Sequence, residues 1–241
     1  MMKTYRIPAA LQMLIIAVLI AMLTLSLLFI SRHVSNGKRQ PIDAWNEAPI
    51  TVIIDAGHGG EDGGTSGANG VLEKELNLDL SKRLDELFRS AGINTVMTRR
   101  DDRLLYDPLS DYMGRKKILD MQERLRIAQD VDNAIFVSIH MNSFPEEKYS
   151  GLQVYYSKNN VDSERLARSV QGTTAFYLMP KNDRKIKLGK DIYLLDRLEM
   201  PAVLIECGFL SNPDECANLS TEKYRNELAF WIFYSIMSEI Q

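Results

Sequence analysis

Three histidines occur among the 241 residues, and two of them close short apolar runs: Ile53-Ile54-Asp55-Ala56-Gly57-His58 and Val137-Ser138-Ile139-His140. The third, His33, lies in a polar stretch near the N-terminus. Imidazole suits zinc, copper, iron and nickel, so two imidazoles presented at two strand ends point to a metal site. A catalytic zinc also needs a third protein ligand and an open position for water. Glu73 and Glu75, in Val71-Leu72-Glu73-Lys74-Glu75-Leu76, both begin the helical pattern that follows the first histidine. Spacing does not choose between them, because acidic residues in a first helical turn also simply complement the helix dipole. Glu206 closes a further apolar run, Ala202-Val203-Leu204-Ile205. A carboxylate there is either ion-paired or functional, since burying it alone is costly.

These four side chains need strands that end together and helices that cover them. The β-branched run over 51–55 predicts a buried strand running into a glycine-rich loop, and Leu76, Leu80, Leu84 and Leu87 recur at helical spacing over 73–91. Strands are expected at 93–98, 134–139, 151–157, 191–195 and 202–207, and helices at 115–129, 163–177 and 221–239. Residues 99–113, with many Asp and Pro108, read as a loop. The alternation indicates a single α/β domain over 50–241, with a mainly parallel or mixed twisted sheet covered by helices on both faces. In such sheets, sites gather at the carboxyl ends of the strands.

The chain carries 29 basic and 32 acidic residues, unevenly placed. No acid precedes Asp43, and five of the bases do, which leaves a balance of −8 from Asp43 onward. An acidic domain argues against a nucleic-acid partner, which needs clustered Lys and Arg. From Ile7 to Ser31 no side chain is charged, and the run over 11–30 is apolar on every face. About 20 apolar residues span a bilayer core, and the run lacks a small-residue cleavage site. An uncleaved signal-anchor over 11–31 is expected, with residues 1–10 cytoplasmic and 32–49 a polar linker. The catalytic domain is then extracytoplasmic.

The segments GHGGEDGG, LEKELNL, Thr98-Arg99, Gln122-Glu123-Arg124-Leu125-Arg126-Ile127-Ala128, SIHMNS and IECGFLSNPDE together resemble the zinc N-acetylmuramoyl-L-alanine amidases, the amidase type 3 group. The resemblance spans residues 50–240 with the motifs in family order. It implies a single catalytic zinc held by His58, Glu73 and His140, with Glu206 as catalytic glutamate. It thereby favours Glu73 over Glu75. Asn142 matches an asparagine after the second histidine motif and is a substrate-binding candidate. The substrate implied is the amide between N-acetylmuramic acid and the first L-alanine of the stem peptide. A lone catalytic domain behind an apolar segment, without wall-binding repeats, is similar to the germination-specific members from spore-forming bacteria. That similarity implies work on the spore cortex, in forming its muramic-δ-lactam, and the missing repeats leave room for an accessory protein. The sequence departs from the family at Cys207, where an aliphatic residue is common. Oxidation outside the cytoplasm could join Cys207 to Cys216, but sequence does not supply the geometry of a bridge.

A basic run within 181–190 (Lys181, Arg184, Lys185, Lys187, Lys190) is either a solvated loop or a contact for stem-peptide carboxylates, with Arg184 and Lys187 as its candidates. The rival readings are a zinc peptidase acting within the stem peptide, a non-haem iron enzyme, and a wall-binding module with an idle site.

Overall fold

The computed structural model describes residues 49–106, 109 and 115–240, together with positions 10, 13, 18, 19, 21, 22 and 24–26. Residues 42–241 form one compact unit and residues 1–41 a second. The described positions of the N-terminal unit are helical and exposed. Among the described residues no helix is long and apolar enough to cross a membrane. The anchor expected over 11–31 and the linker over 32–49 lie largely outside the described residues, as does part of the loop expected over 99–113.

Six strands form one mixed sheet: β1 (Thr51–Ala56), β2 (Asn94–Met97), β3 (Ala134–Asn142), β4 (Gln153–Tyr156), β5 (Lys187–Leu188) and β6 (Ala202–Phe209). Their order is β2-β1-β3-β6-β4-β5. The strands β2, β1, β3 and β6 run parallel, and β4 lies antiparallel to β6. The central strands are apolar on both faces because both are covered. On one face lie α1 (Glu73–Ser90), α3 (Asp162–Tyr177) and α5 (Glu222–Ile240). Leu76, Leu80, Leu84 and Phe88 of α1 pack there with Val52, Ile54, Val137, Ile139, Val203 and Ile205. On the other face, α2 (Lys116–Gln129) and the Leu194, Leu195 and Leu198 segment cover Ile53, Phe136, Ala202 and Leu204.

The structure corrects the expected outline in three places. The strand expected over 191–195 is a run of turns, and the edge strand is instead β5. Asp191 has φ +64°, which extended backbone does not adopt, and the Asp196 amide donates to the Ile192 carbonyl as in a helical turn. Leu194 and Leu195 are apolar because they plug the second core, with no ladder involved. The strands carrying His140 and Glu206 also run past them, to Asn142 and Phe209. A short helix unforeseen in the sequence, α4 (Pro213–Leu219), follows β6. Asn212 caps it by accepting from the Glu215 amide, with Pro213 at the first turn.

Candidate active site

The site forms where β1, β3 and β6 approach their carboxyl ends. His58 sits one residue beyond Gly57, after β1 has ended, with φ +60°, a left-handed conformation uncommon for a side-chain-bearing residue. Two buried arginines hold that loop. Arg124 Nη2 donates to the His58 carbonyl at 2.7 Å and Nη1 to the Ala56 carbonyl at 2.7 Å. Arg99 donates to the carbonyls of Ala56, Gly57 and Lys74. Arg124 is itself fixed by Asp55 at 2.6 Å and Asp120 at 2.8 Å, both buried. Gly57 is needed for space, because a Cβ there would stand 2.3 Å from the His140 ring.

Glu73 opens α1 and is buried, whereas Glu75 is exposed. The Glu73 Oε1 atom lies 3.2 Å from His58 Nε2 and 3.0 Å from His140 Nδ1, and accepts from the Met141 amide at 3.1 Å. Its Oε2 accepts from the Thr65 amide. The ligand atoms of His58, Glu73 and His140 all lie within 4.8 Å of one another. On the far side of the His58 ring, Nδ1 meets Asp62 Oδ2 at 2.9 Å. A carboxylate in that position fixes tautomer and ring orientation in metal sites.

Glu206 pairs in register with His140 across β3 and β6, so both side chains project from the same face of neighbouring strands. Its Oε2 is buried and has no hydrogen-bond partner among the described residues. Burial pushes its carboxyl up to about 7; Glu73 adds to the rise, and His140 and His58 oppose it. Glu73 goes the other way: burial would raise it, but the two histidines outweigh burial and hold it well below the usual carboxylate range. For His58, burial alone would lower the imidazole, and Glu73 with Asp62 reverses that and holds it above its ordinary value. A cavity of about 160 Å³ opens beside both histidines, with Met121, Phe136 and Leu204 among its apolar walls.

The other residues singled out in the sequence are spread around this centre. Asn142 ends β3, half-buried, its Oδ1 accepting from the Ser143 amide. Arg184 lies against Phe209 at the end of β6. Lys187 is exposed on the edge strand β5. Cys207 and Cys216 are both buried and unlinked. The roles of Asp62, Asp55 and Asp120 carry no local sequence signal, because each depends on a partner brought up by the fold. Arg99 and Arg124 lay in recognised segments, but nothing local announced that they reach back to the His58 loop.

Two imidazoles and a carboxylate on one point, with a buried, unpartnered carboxyl oxygen beside them, are the equipment of a metal-dependent hydrolase. Residues 52–238 match the N-acetylmuramoyl-L-alanine amidase family, and the chain belongs to it: it is a peptidoglycan amidase. It is 32% identical over 200 residues to the germination-specific N-acetylmuramoyl-L-alanine amidase of Bacillus subtilis (strain 168), covering 81% of this chain and 84% of that protein. It is similar to the structure of the CwlD amidase from Clostridioides difficile in complex with the GerS lipoprotein, with TM-score 0.76 and 38% identity, covering 79% of this chain and 98% of that one. The amidase AmiC2 of Nostoc punctiforme is also similar, with TM-score 0.68 and 30% identity, covering 78% and 96%.

Proposed function

We propose that His58, Glu73 and His140 hold one zinc ion and that Glu206 moves the proton in hydrolysis of the N-acetylmuramoyl–L-alanine amide. The observation that carries this reading is the convergence of the three ligand atoms within 4.8 Å beside the unpartnered Glu206 Oε2. Two imidazoles and one carboxylate are a donor set that catalytic zinc uses, with a position left for water. Zinc bound there supplies Lewis acidity, lowering the pKa of a water and polarising the lactyl carbonyl. Asp62 holds the His58 ring so that Nε2 faces the centre. Glu206 accepts the proton of the attacking water and returns it to the alanine nitrogen, which then departs as an amine. Peptidoglycan incubated with the chain, with and without chelator, tests this by mass spectrometry of the new ends. Stem peptides beginning with L-alanine, released only with metal, are expected. New ends within the stem peptide would instead make the enzyme a peptidase, and glycan binding without cleavage would make it a wall-binding module.

The proposed setting is the spore cortex and its muramic-δ-lactam, supported by the germination-specific Bacillus subtilis relative. The proposed address is extracytoplasmic, with residues 11–31 as an uncleaved anchor, supported by the absence of charge from Ile7 to Ser31. Protease digestion of intact cells or forespores should then remove the catalytic domain without lysis, and full protection would refute that address. An accessory lipoprotein is the proposed partner, because the Clostridioides difficile CwlD was solved with one. Co-expression with such a lipoprotein should raise the zinc content or activity of the purified chain, and no change in either would argue against it.

A further inference from the structure

Of the five basic residues in the 181–190 segment, only Arg184 turns inward; Lys181, Lys185, Lys187 and Lys190 are exposed. The Arg184 Nε donates to the Ser150 carbonyl at 2.6 Å and Nη1 to Gln153 Oε1 at 3.3 Å. One face of the guanidinium lies 4.4 Å from the centre of the Phe209 ring. Among the described residues no carboxylate pairs with it and Nη2 has no hydrogen-bond partner. The nearby acid, Glu215, spends its oxygens on the amides of Gly151 and Phe209. A planar cation held on two edges and one face, in direct contact with no carboxylate and coupled to Glu215 only through space, is preorganised for a carboxylate.

Its position fits one carboxylate of the substrate. Gln153 stands opposite Glu206 in the β4–β6 ladder, where paired Cα atoms are about 5 Å apart. Arg184 is one hydrogen bond beyond Gln153. In the stem peptide, the acidic residue after L-alanine is joined through its side-chain carboxyl, so its α-carboxylate stays free unless amidated. That group lies two residues from the scissile amide, about 7 Å of extended chain. We propose that Arg184 is a specificity-determining residue that binds this free α-carboxylate and discriminates against the carboxamide. The inference rests on the amidase reading.

Two muropeptides differing only at that group, muramoyl-L-alanyl-D-glutamate and muramoyl-L-alanyl-D-isoglutamine, offered to the full zinc-loaded chain provide the test. A charge-assisted bond at a half-buried site predicts about tenfold higher kcat/KM for the acid, carried mainly by KM. Arg184→Gln should treat both substrates as the natural chain treats the amide, and Arg184→Lys should restore part of the difference. Equal kcat/KM for the two in the natural chain would overturn the proposal. So would a preference that survives in Arg184→Gln, or a fall in kcat on both with zinc retained. Calorimetric titration of the Glu206→Gln chain with L-alanyl-D-glutamate and its isoglutamine analogue reads the same ratio without turnover. Failure to cleave either muropeptide then counts against the amidase reading, whereas equal affinities count against the role of Arg184.

Discussion

Replacing Arg124 with methionine should destabilise the folded domain by about 3–5 kcal/mol, because it leaves two buried carboxylates without their cation. The Arg124 side chain is 1% exposed, and its partners Asp55 and Asp120 are 1% and 3% exposed. Asp55 would keep hydrogen bonds from Thr98 and Ser138, and Asp120 one from the Leu105 amide. Those remaining donors place the expected loss at the lower end, near ~3 kcal/mol. For a domain of this size, the melting temperature should fall by roughly 10 °C. Urea unfolding of residues 42–241 measures it as a lower midpoint with unchanged slope. The double variant Asp55→Asn, Arg124→Met should recover at least about 1 kcal/mol, since one of the stranded charges is gone. Because Arg124 also holds the His58 carbonyl, its loss should weaken zinc binding more than a core change far from the site, such as Ile236→Ala. A loss below ~1 kcal/mol would refute the reasoning that this clamp balances two buried acids. So would zinc affinity no worse than that of Ile236→Ala.

Other outcomes follow from the same geometry. Glu206→Gln should retain zinc yet lose about 10²–10⁴-fold in kcat, while His140→Ala should lose the metal; zinc analysis of both proteins checks the division of labour, and loss of metal from Glu206→Gln would make that residue a ligand. Gly57→Ala should lower zinc affinity at least about tenfold by displacing the His140 ring, measured by chelator competition. Stability should fall in acid. Burial alone would raise Asp55, but Arg124, Ser138 and Thr98 outweigh it and hold it below its ordinary value. Burial likewise opposes the lowering of Asp79 by Arg83 and Arg225, and that of Asp85 by Arg100 and Thr95. Depressed carboxylates stabilise fully above their unfolded values, about 3.9, and the stabilisation is lost as pH falls through the folded ones. In the metal-free chain the raised Glu206 and His58 add stability as pH falls from 7 to 5, so urea midpoints should not fall in that range and should drop only below about pH 4; midpoints that stay level or rise below pH 4 would contradict the ion-pair reading.

Much of this molecule was legible in its amino-acid order. The buried parallel strands β1, β3 and β6 announce themselves as short apolar runs because both of their faces are covered. The leucines of α1 fall at helical spacing because only one stripe of that helix meets the sheet. His58, His140 and Glu206 stood out because they interrupt or close apolar runs with groups that burial penalises.

Other features were decided only in three dimensions. Glu73 and Glu75 are equivalent by composition, but two residues along a helix are about 200° apart, so only one can face the histidines. Glu73 is the buried one. The contacts of Arg124 with the His58 and Ala56 carbonyls span 66 and 68 residues, beyond any local pattern. Leu194 and Leu195 mimicked a strand because apolar residues signal burial, and burial is compatible with turn as well as ladder. The basic run over 181–190 offers Arg184 and Lys187 as candidates but does not separate them, since charge is read from sequence but orientation is not. Packing against Phe209 and hydrogen bonds to Ser150 and Gln153 selected Arg184 and left its lysine neighbours in water.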